Sequence, residues 1–163
     1  MRKKLLWVLV LLTVLVGAVS TCSAEELTIK ADDFYTRFCY FSEYMYGSKF
    51  CTGSLEQIGD GYFFKTVGGY KIKLYTKSMD MNLQYAKIYF SLSDTTGDQL
   101  WIALMSFYMT ADDNLDLTES DFLFLQDYIV NISTNLRKVV YFDNIKMYGG
   151  TDKGKFYFTA FGR

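Results

Sequence analysis

The amino-acid sequence predicts an α+β domain, in which an antiparallel sheet of about five strands carries helices packed on one face. Two observations support this fold class. Several short segments alternate apolar and polar residues, as strands with one buried face do. In other segments the apolar residues recur every three or four positions, which is the period of an amphipathic helix. Along the chain the predicted order is one helix, three strands, two helices and two strands.

The first predicted helix begins near two aspartates. Asp32 is a favourable N-cap, Asp33 suits the first turn, and Gly47 can end the helix. Between these ends lies one apolar stripe with spacings of four, three and four residues. The stripe consists of Phe34, Phe38, Phe41 and Met45.

Three strands are predicted after this helix. Residues 62–67 and 70–77 flank Gly68 and Gly69, a pair that favours a two-residue hairpin turn. Residues 84–92 repeat the alternation and form the third strand. The side chains predicted to face the core are Ile72, Leu74, Ile88, Phe90 and Leu92.

Two further helices follow the three strands. Thr96 and Gln99 have the spacing of a capping box at the start of the second helix. Thr118 is the predicted N-cap of the third helix, and Asp121 stands three residues after it. The apolar stripe predicted for the third helix consists of Phe122, Leu125, Ile129 and Ile132.

The chain is predicted to end in a hairpin. Its arms are residues 139–148 and 155–161, and residues 149–154 form the turn. In the second arm Phe156 and Phe158 alternate with Tyr157, so the two phenylalanines are expected to face the core.

The N-terminus has the three-part pattern of a secretory signal. Arg2, Lys3 and Lys4 precede an uncharged apolar run over residues 5–19, and Ala24 ends a site of small residues. We therefore expect cleavage of residues 1–24 and a single domain over residues 25–163. A membrane anchor is less favoured, because the run is shorter than the roughly 20 residues that span a bilayer. A second alternative is lipidation at Cys22, which would place the protein on a membrane.

Charge and composition exclude several classes of function. The formal net charge is −1, and removal of the three N-terminal cations leaves −4, so no nucleic-acid partner is expected. The sequence contains no histidine, which excludes a Ser-His-Asp triad and any zinc site with a histidine ligand. No cofactor is predicted.

Cys39 and Cys51 are the two cysteines that remain after cleavage. An even number of cysteines in an oxidising compartment indicates a disulfide. A helix that runs from Cys39 to Gly47 and a four-residue return segment have matching lengths, so the geometry permits the bond. We expect it to tie the first helix to the segment that follows.

The acidic segment that starts at Asp112 resembles part of a calcium-binding loop. It fits the first three ligand positions of an EF-hand. Leu117 stands where that loop needs glycine, and Leu123 stands where it needs a bidentate glutamate. We therefore interpret the segment as a solvated connection between two helices, and no metal site is predicted.

Aromatic residues make up 18% of the chain, more than the packing of a small domain requires. The alternation in the predicted strands places several tyrosines and lysines opposite the core, where they form a candidate binding surface. It consists of Lys71, Lys73, Tyr75, Lys87, Tyr89 and Tyr157. An ordinary solvated sheet face is the alternative interpretation.

The sequence therefore favours an exported binding or interaction domain without enzymatic activity. Its expected ligand is an extracellular protein or polysaccharide. Two alternatives remain open: a hydrolase that acts on extracellular polysaccharide through paired carboxylates, and a structural protein of an envelope assembly.

Overall fold

A computed structural model of the chain describes residues 26–76, 81–91, 97–113, 118–130 and 139–163. The predicted signal segment, Leu92, Thr96, Leu117 and Ile132 lie outside these residues.

The fold is an α+β arrangement with one antiparallel sheet and three helices, which confirms the predicted class. The sheet has seven strands, two more than expected, in the order β1-β2-β3-β4-β7-β6-β5. The strands are β1 (Glu56–Ile58), β2 (Gly61–Lys65), β3 (Lys71–Thr76), β4 (Leu83–Phe90), β5 (Val139–Tyr141), β6 (Ile145–Asp152) and β7 (Lys155–Gly162). The helices are α1 (Ala31–Tyr46), α2 (Gly97–Asp112) and α3 (Glu119–Val130).

All three helices pack on the same face of the sheet. Phe38 of α1 meets the ring of Phe64 in β2, with 5.2 Å between the ring centroids. Phe34 of α1 packs edge-on against Phe107 of α2. On the other side of the core Tyr128 of α3 contacts Phe158 of β7 at 5.2 Å. The predicted inward residues Ile72, Leu74, Ile88, Phe90 and Phe158 are all buried here.

Helix α1 differs from its prediction at its start and along its stripe. The N-cap is Lys30 rather than Asp32, and its side chain makes no capping hydrogen bond. The helix ends at Gly47, whose φ of 77° is in the left-handed region that favours glycine, as expected. Along the stripe Phe34 and Phe38 are buried, but Met45 is exposed and Ser42 is buried instead. Burial of the Ser42 hydroxyl is tolerated because it donates a hydrogen bond to the Phe38 carbonyl.

The disulfide between Cys39 and Cys51 is present, with 5.7 Å between the two Cα atoms. It joins the middle of α1 to a residue that forms a β-bridge with Thr66, just after β2. A second link runs beside it, because the Tyr35 hydroxyl donates a 2.6 Å hydrogen bond to the Gly53 carbonyl. The segment between α1 and β1 is therefore fixed to both layers of the fold.

The turn of the C-terminal hairpin is shorter than predicted, because β6 extends to Asp152. The turn contains only Lys153 and Gly154, while Gly149 and Gly150 lie within β6. Aromatic rings occupy the space opposite the two glycines, so a larger residue at either position would have to displace a ring. A Cβ atom on Gly149 would lie 2.8 Å from the Phe158 ring, and one on Gly150 would collide with the Tyr157 hydroxyl.

The predicted strand over residues 139–148 is divided into β5 and β6. The chain turns at residues 142–144, where Phe142 enters the core and packs on Tyr108 with a centroid separation of 4.5 Å. Asn144 donates two hydrogen bonds to Asp112. Its backbone N–H donates to the Asp112 carboxylate, and its side-chain amide donates to the Asp112 backbone carbonyl. These contacts come from α2, so the local pattern of residues 139–148 did not show the break.

Asp112 is buried, so its predicted place in a solvated connection is wrong. It is the last residue of α2, and its carboxylate accepts hydrogen bonds from the Asn144 backbone and the Tyr108 hydroxyl. Burial raises the pKa of the Asp112 carboxyl, although these two hydrogen bonds oppose the shift. Its neighbour Asp113 is exposed and pairs with Arg37 of α1.

The N-terminus of α3 confirms the predicted cap but not the predicted stripe. The Asp121 carboxylate accepts hydrogen bonds from the Thr118 backbone and hydroxyl, and the Asp121 N–H donates to the Thr118 hydroxyl. Phe122 is exposed rather than buried, and Tyr128 joins Leu125 in the core. The buried side of α3 therefore differs from the predicted stripe at Phe122 and Tyr128.

Candidate binding face

The six residues predicted to form a binding surface lie on one face of the sheet, opposite the helices. The strand register makes Lys71, Tyr89 and Tyr157 direct neighbours across β3, β4 and β7. In the next row Lys73 lies opposite Lys87. Tyr75 lies in a third row, opposite Tyr85, which is not among the six predicted residues. The alternation in each strand therefore placed all six side chains together, as the register requires.

Five further residues of this side of the sheet take part in its ring and lysine contacts. All have the strand parity of the six, so the same alternation could have identified them. We call the combined set the aromatic–lysine face: Phe63, Lys71, Lys73, Tyr75, Tyr85, Lys87, Tyr89, Lys146, Tyr148, Tyr157 and Phe161.

The aromatic rings of this face contact one another in two groups. In the first group Tyr75 stacks on Tyr85 with 4.2 Å between the ring centroids, and Phe161 follows at 5.4 Å from Tyr85. In the second group Tyr157 lies 6.0 Å from Tyr89, and its hydroxyl oxygen is 3.0 Å from that of Tyr148. The backbones of Tyr85 and Tyr89 are roughly 13 Å apart along β4, at about 3.3 Å per residue. A side-chain hydrogen bond between Tyr75 and Tyr89 connects the two groups.

The lysines of the face lie over these rings. The Lys87 ammonium is 3.5 Å from the centroid of Tyr157 and 5.0 Å from that of Tyr89. Lys73 lies 5.3 Å from Tyr89, and Lys71 lies 4.5 Å from Phe63. Each exposed contact of this kind contributes about 0.5–1 kcal/mol, so the ammonium groups are positioned before any ligand arrives.

Three phenols of the face, those of Tyr75, Tyr89 and Tyr157, have raised pKa values and stay neutral at neutral pH. Burial, together with the nearby Tyr89, raises the pKa of Tyr75 to about 12. The hydrogen bond with Tyr148, followed by burial, raises the pKa of Tyr157 to about 12. Burial also lowers the pKa of the Lys87 ammonium. These tyrosines therefore offer hydroxyl groups and flat rings but no negative charge.

The charge of this side of the sheet is opposite to that of the whole protein. Over the seven strands, the outward positions carry six lysines and two carboxylates, Glu56 and Asp152. The lysines are Lys65, Lys71, Lys73, Lys87, Lys146 and Lys155. Because the full chain has a net charge of −1, the positive charge is concentrated here.

A cleft of about 440 Å³ opens at the β1–β3 end of the face. Its residues include Phe63, Lys71, Lys73 and Tyr75 from the face, and Asp60 from the turn between β1 and β2. It therefore combines aromatic, cationic and acceptor groups in one concave site, as ligand sites commonly do.

Comparisons with known proteins identify no relative. The chain matches no protein-family model, no curated protein and no solved structure. None of the helices in the described ranges is long and apolar enough to cross a membrane. Within those ranges, no group of three or more acidic, cysteine or histidine side chains is placed to hold a metal ion. The functional interpretation therefore rests on the aromatic–lysine face and its cleft.

Proposed function

We propose that this protein is an exported, non-enzymatic binding domain whose aromatic–lysine face recognises an anionic ligand outside the cell. The observation that carries the proposal is the excess of six lysines over two carboxylates on the outer side of the sheet in an acidic protein. Such local charge attracts a ligand of opposite sign despite the net charge of the molecule.

The arrangement of the rings also favours binding. Tyrosine contributes a large contact area with few rotatable bonds, and a sheet holds its rings at fixed spacing. Contacts such as the stack of Tyr75 on Tyr85 order these rings in the free protein. A ligand that binds here therefore meets side chains whose conformational entropy is already reduced.

A binding role is favoured over hydrolysis by the composition of the cleft. Hydrolysis of a glycosidic bond generally uses two carboxyl groups that flank the bond. Asp60 is the one carboxylate among the described residues that line the cleft. This composition suits recognition of a ligand better than acid–base chemistry on it.

Export is supported by the predicted signal segment and by the disulfide. A bond between Cys39 and Cys51 is typical of proteins that fold in an oxidising compartment. We expect the exported protein to begin at Glu25. Intact-mass analysis of secreted material tests this start position. A mass that includes a lipidated Cys22 would show instead that the protein is a lipoprotein.

The proposed face can be tested by retention on two polyanion resins, heparin–agarose and agarose coupled to polyaspartate. The double variant Lys87→Gln and Lys146→Gln removes two ammonium groups from the face outside the cleft. It should elute from both resins at lower salt than the wild type, because fewer charges contact the polymer.

A matched control removes the same charge elsewhere. Lys30 and Lys49 are exposed residues that flank the two ends of α1. The double variant Lys30→Gln and Lys49→Gln should elute close to the wild type. Equal elution of the two double variants, or no retention of the wild type at low salt, would contradict a role for the face.

A further inference from the structure

The cleft at the end of the aromatic–lysine face leaves one side of an aromatic ring without a cover. Tyr75 stacks on Tyr85 in β4, but its neighbour in β2 is Gly61, which has no side chain. No other residue fits at Gly61, because a Cβ atom there would collide with the backbone carbonyl of Leu74. The space beside Tyr75 is therefore a permanent feature of the strand pairing.

The remaining walls of the cleft supply three kinds of group. Phe63 is an apolar wall, and Ile58 at the edge strand is 56% exposed. Lys71 and Lys73 lie two residues apart on β3, so both side chains are on the same side of the sheet. In the free protein the Lys71 ammonium lies over Phe63, and the Lys73 ammonium lies over Tyr89 and must turn toward the cleft to meet a ligand there. Asp60 adds a carboxylate that can accept hydrogen bonds from hydroxyl groups.

We propose that this cleft binds one acidic sugar unit of an extracellular polysaccharide. The sugar ring packs on Tyr75, its carboxylate or sulfate group lies between Lys71 and Lys73, and Asp60 accepts hydrogen bonds from its hydroxyls. This inference deepens the proposed function and rests on it, since it assigns the class of anion that the face recognises.

The shape and chemistry of the site favour a sugar over an acidic protein. The volume of about 440 Å³ is in the range of small-molecule sites, roughly 300–1,000 Å³, whereas protein partners generally meet broad surfaces. A saccharide unit presents both an apolar ring face and several hydroxyls, which match the ring of Tyr75 and the carboxylate of Asp60. An acidic peptide would use the lysines but would leave the open ring face without a planar partner.

The experiment is a calorimetric titration of the full mature domain with three short probes: trigalacturonate, a sulfated trisaccharide and maltotriose. The wild type should bind one or both acidic probes and should not bind the neutral one. Binding of only one acidic probe identifies the anionic group. Tyr75→Ala and Lys73→Gln should each weaken this binding at least tenfold, whereas Tyr75→Phe should keep it because the ring is retained.

Lys49→Gln is the matched control for charge. It removes one exposed ammonium group just after the end of α1, outside the aromatic–lysine face. Its affinity for the acidic trisaccharides should stay within about twofold of the wild type. Circular dichroism of each variant checks that the fold is intact.

The outcomes separate this inference from the proposed function. Lys146→Gln, which changes the face outside the cleft, is the comparison for Lys73→Gln. If both weaken binding equally, the face binds anions without a dedicated cleft, and only this inference fails. If polyaspartate retains the protein and neither acidic trisaccharide binds, the ligand is an acidic protein and the cleft assignment is wrong. If no anionic probe binds the wild type, both proposals fail.

Discussion

The variant Phe38→Ala should lower the free energy of unfolding by about 4 kcal/mol, the usual cost of deleting a buried phenylalanine. Phe38 is completely buried and joins α1 to the sheet through the ring of Phe64. The loss combines removal of apolar contact with the cavity that remains between the two layers. Urea denaturation, monitored by tryptophan fluorescence, measures this loss of stability.

Met45→Ala is the matched control in the same helix. Met45 belongs to the apolar stripe that the sequence predicts, but 36% of its surface is exposed. Its replacement should change stability by only about 0.5 kcal/mol, the typical effect at a surface position. If the two variants lose similar stability, the face of α1 that packs on the sheet is not the one described.

Replacing both Cys39 and Cys51 by serine should lower the free energy of unfolding by about 3 kcal/mol, as the chain-entropy model gives for a loop of this length. The two cysteines are 12 residues apart, and their bond restricts the unfolded chain from the middle of α1 to the segment before β1. The measurement is urea denaturation of the oxidised wild type and of the double variant.

Reduction of the wild type provides an independent control for the serine substitutions. Treatment with a reducing agent should bring the wild-type protein close to the double variant, because both then lack the same crosslink. A reduced wild type that keeps the full stability of the oxidised form would contradict a structural role for the disulfide.

The sequence was sufficient for the fold class because long alternating and helical patterns report which face is buried. In β3, β4 and β7 the inward residues Ile72, Ile88 and Phe158 have the predicted orientation. The same parity placed Tyr75, Tyr89 and Tyr157 together on the outer side. One pattern therefore predicted both the core and the composition of the candidate surface.

Other features depend on tertiary contacts that no local pattern contains. β1 has three residues, all exposed, so it carries no alternation of burial. Gly149 and Gly150 resemble a turn in the sequence, yet they lie within β6, where the rings of Phe158 and Tyr157 occupy the space opposite them. The cleft depends on the pairing of Gly61 in β2 with Tyr75 in the adjacent β3. This pairing is visible only once the register is known.

The pairing of β4 with β7 also determines when the candidate surface can exist. These two central strands come from opposite halves of the chain, and Tyr89 meets Tyr157 across the junction between them. Contacts between residues so far apart in sequence require the chain to extend as far as β7 and a long intervening segment to be closed. The lysine over both rings, Lys87, reaches its second partner only at that stage. A nascent or partly folded chain therefore lacks the assembled surface, and a ligand that spans the junction would selectively stabilise the completed domain.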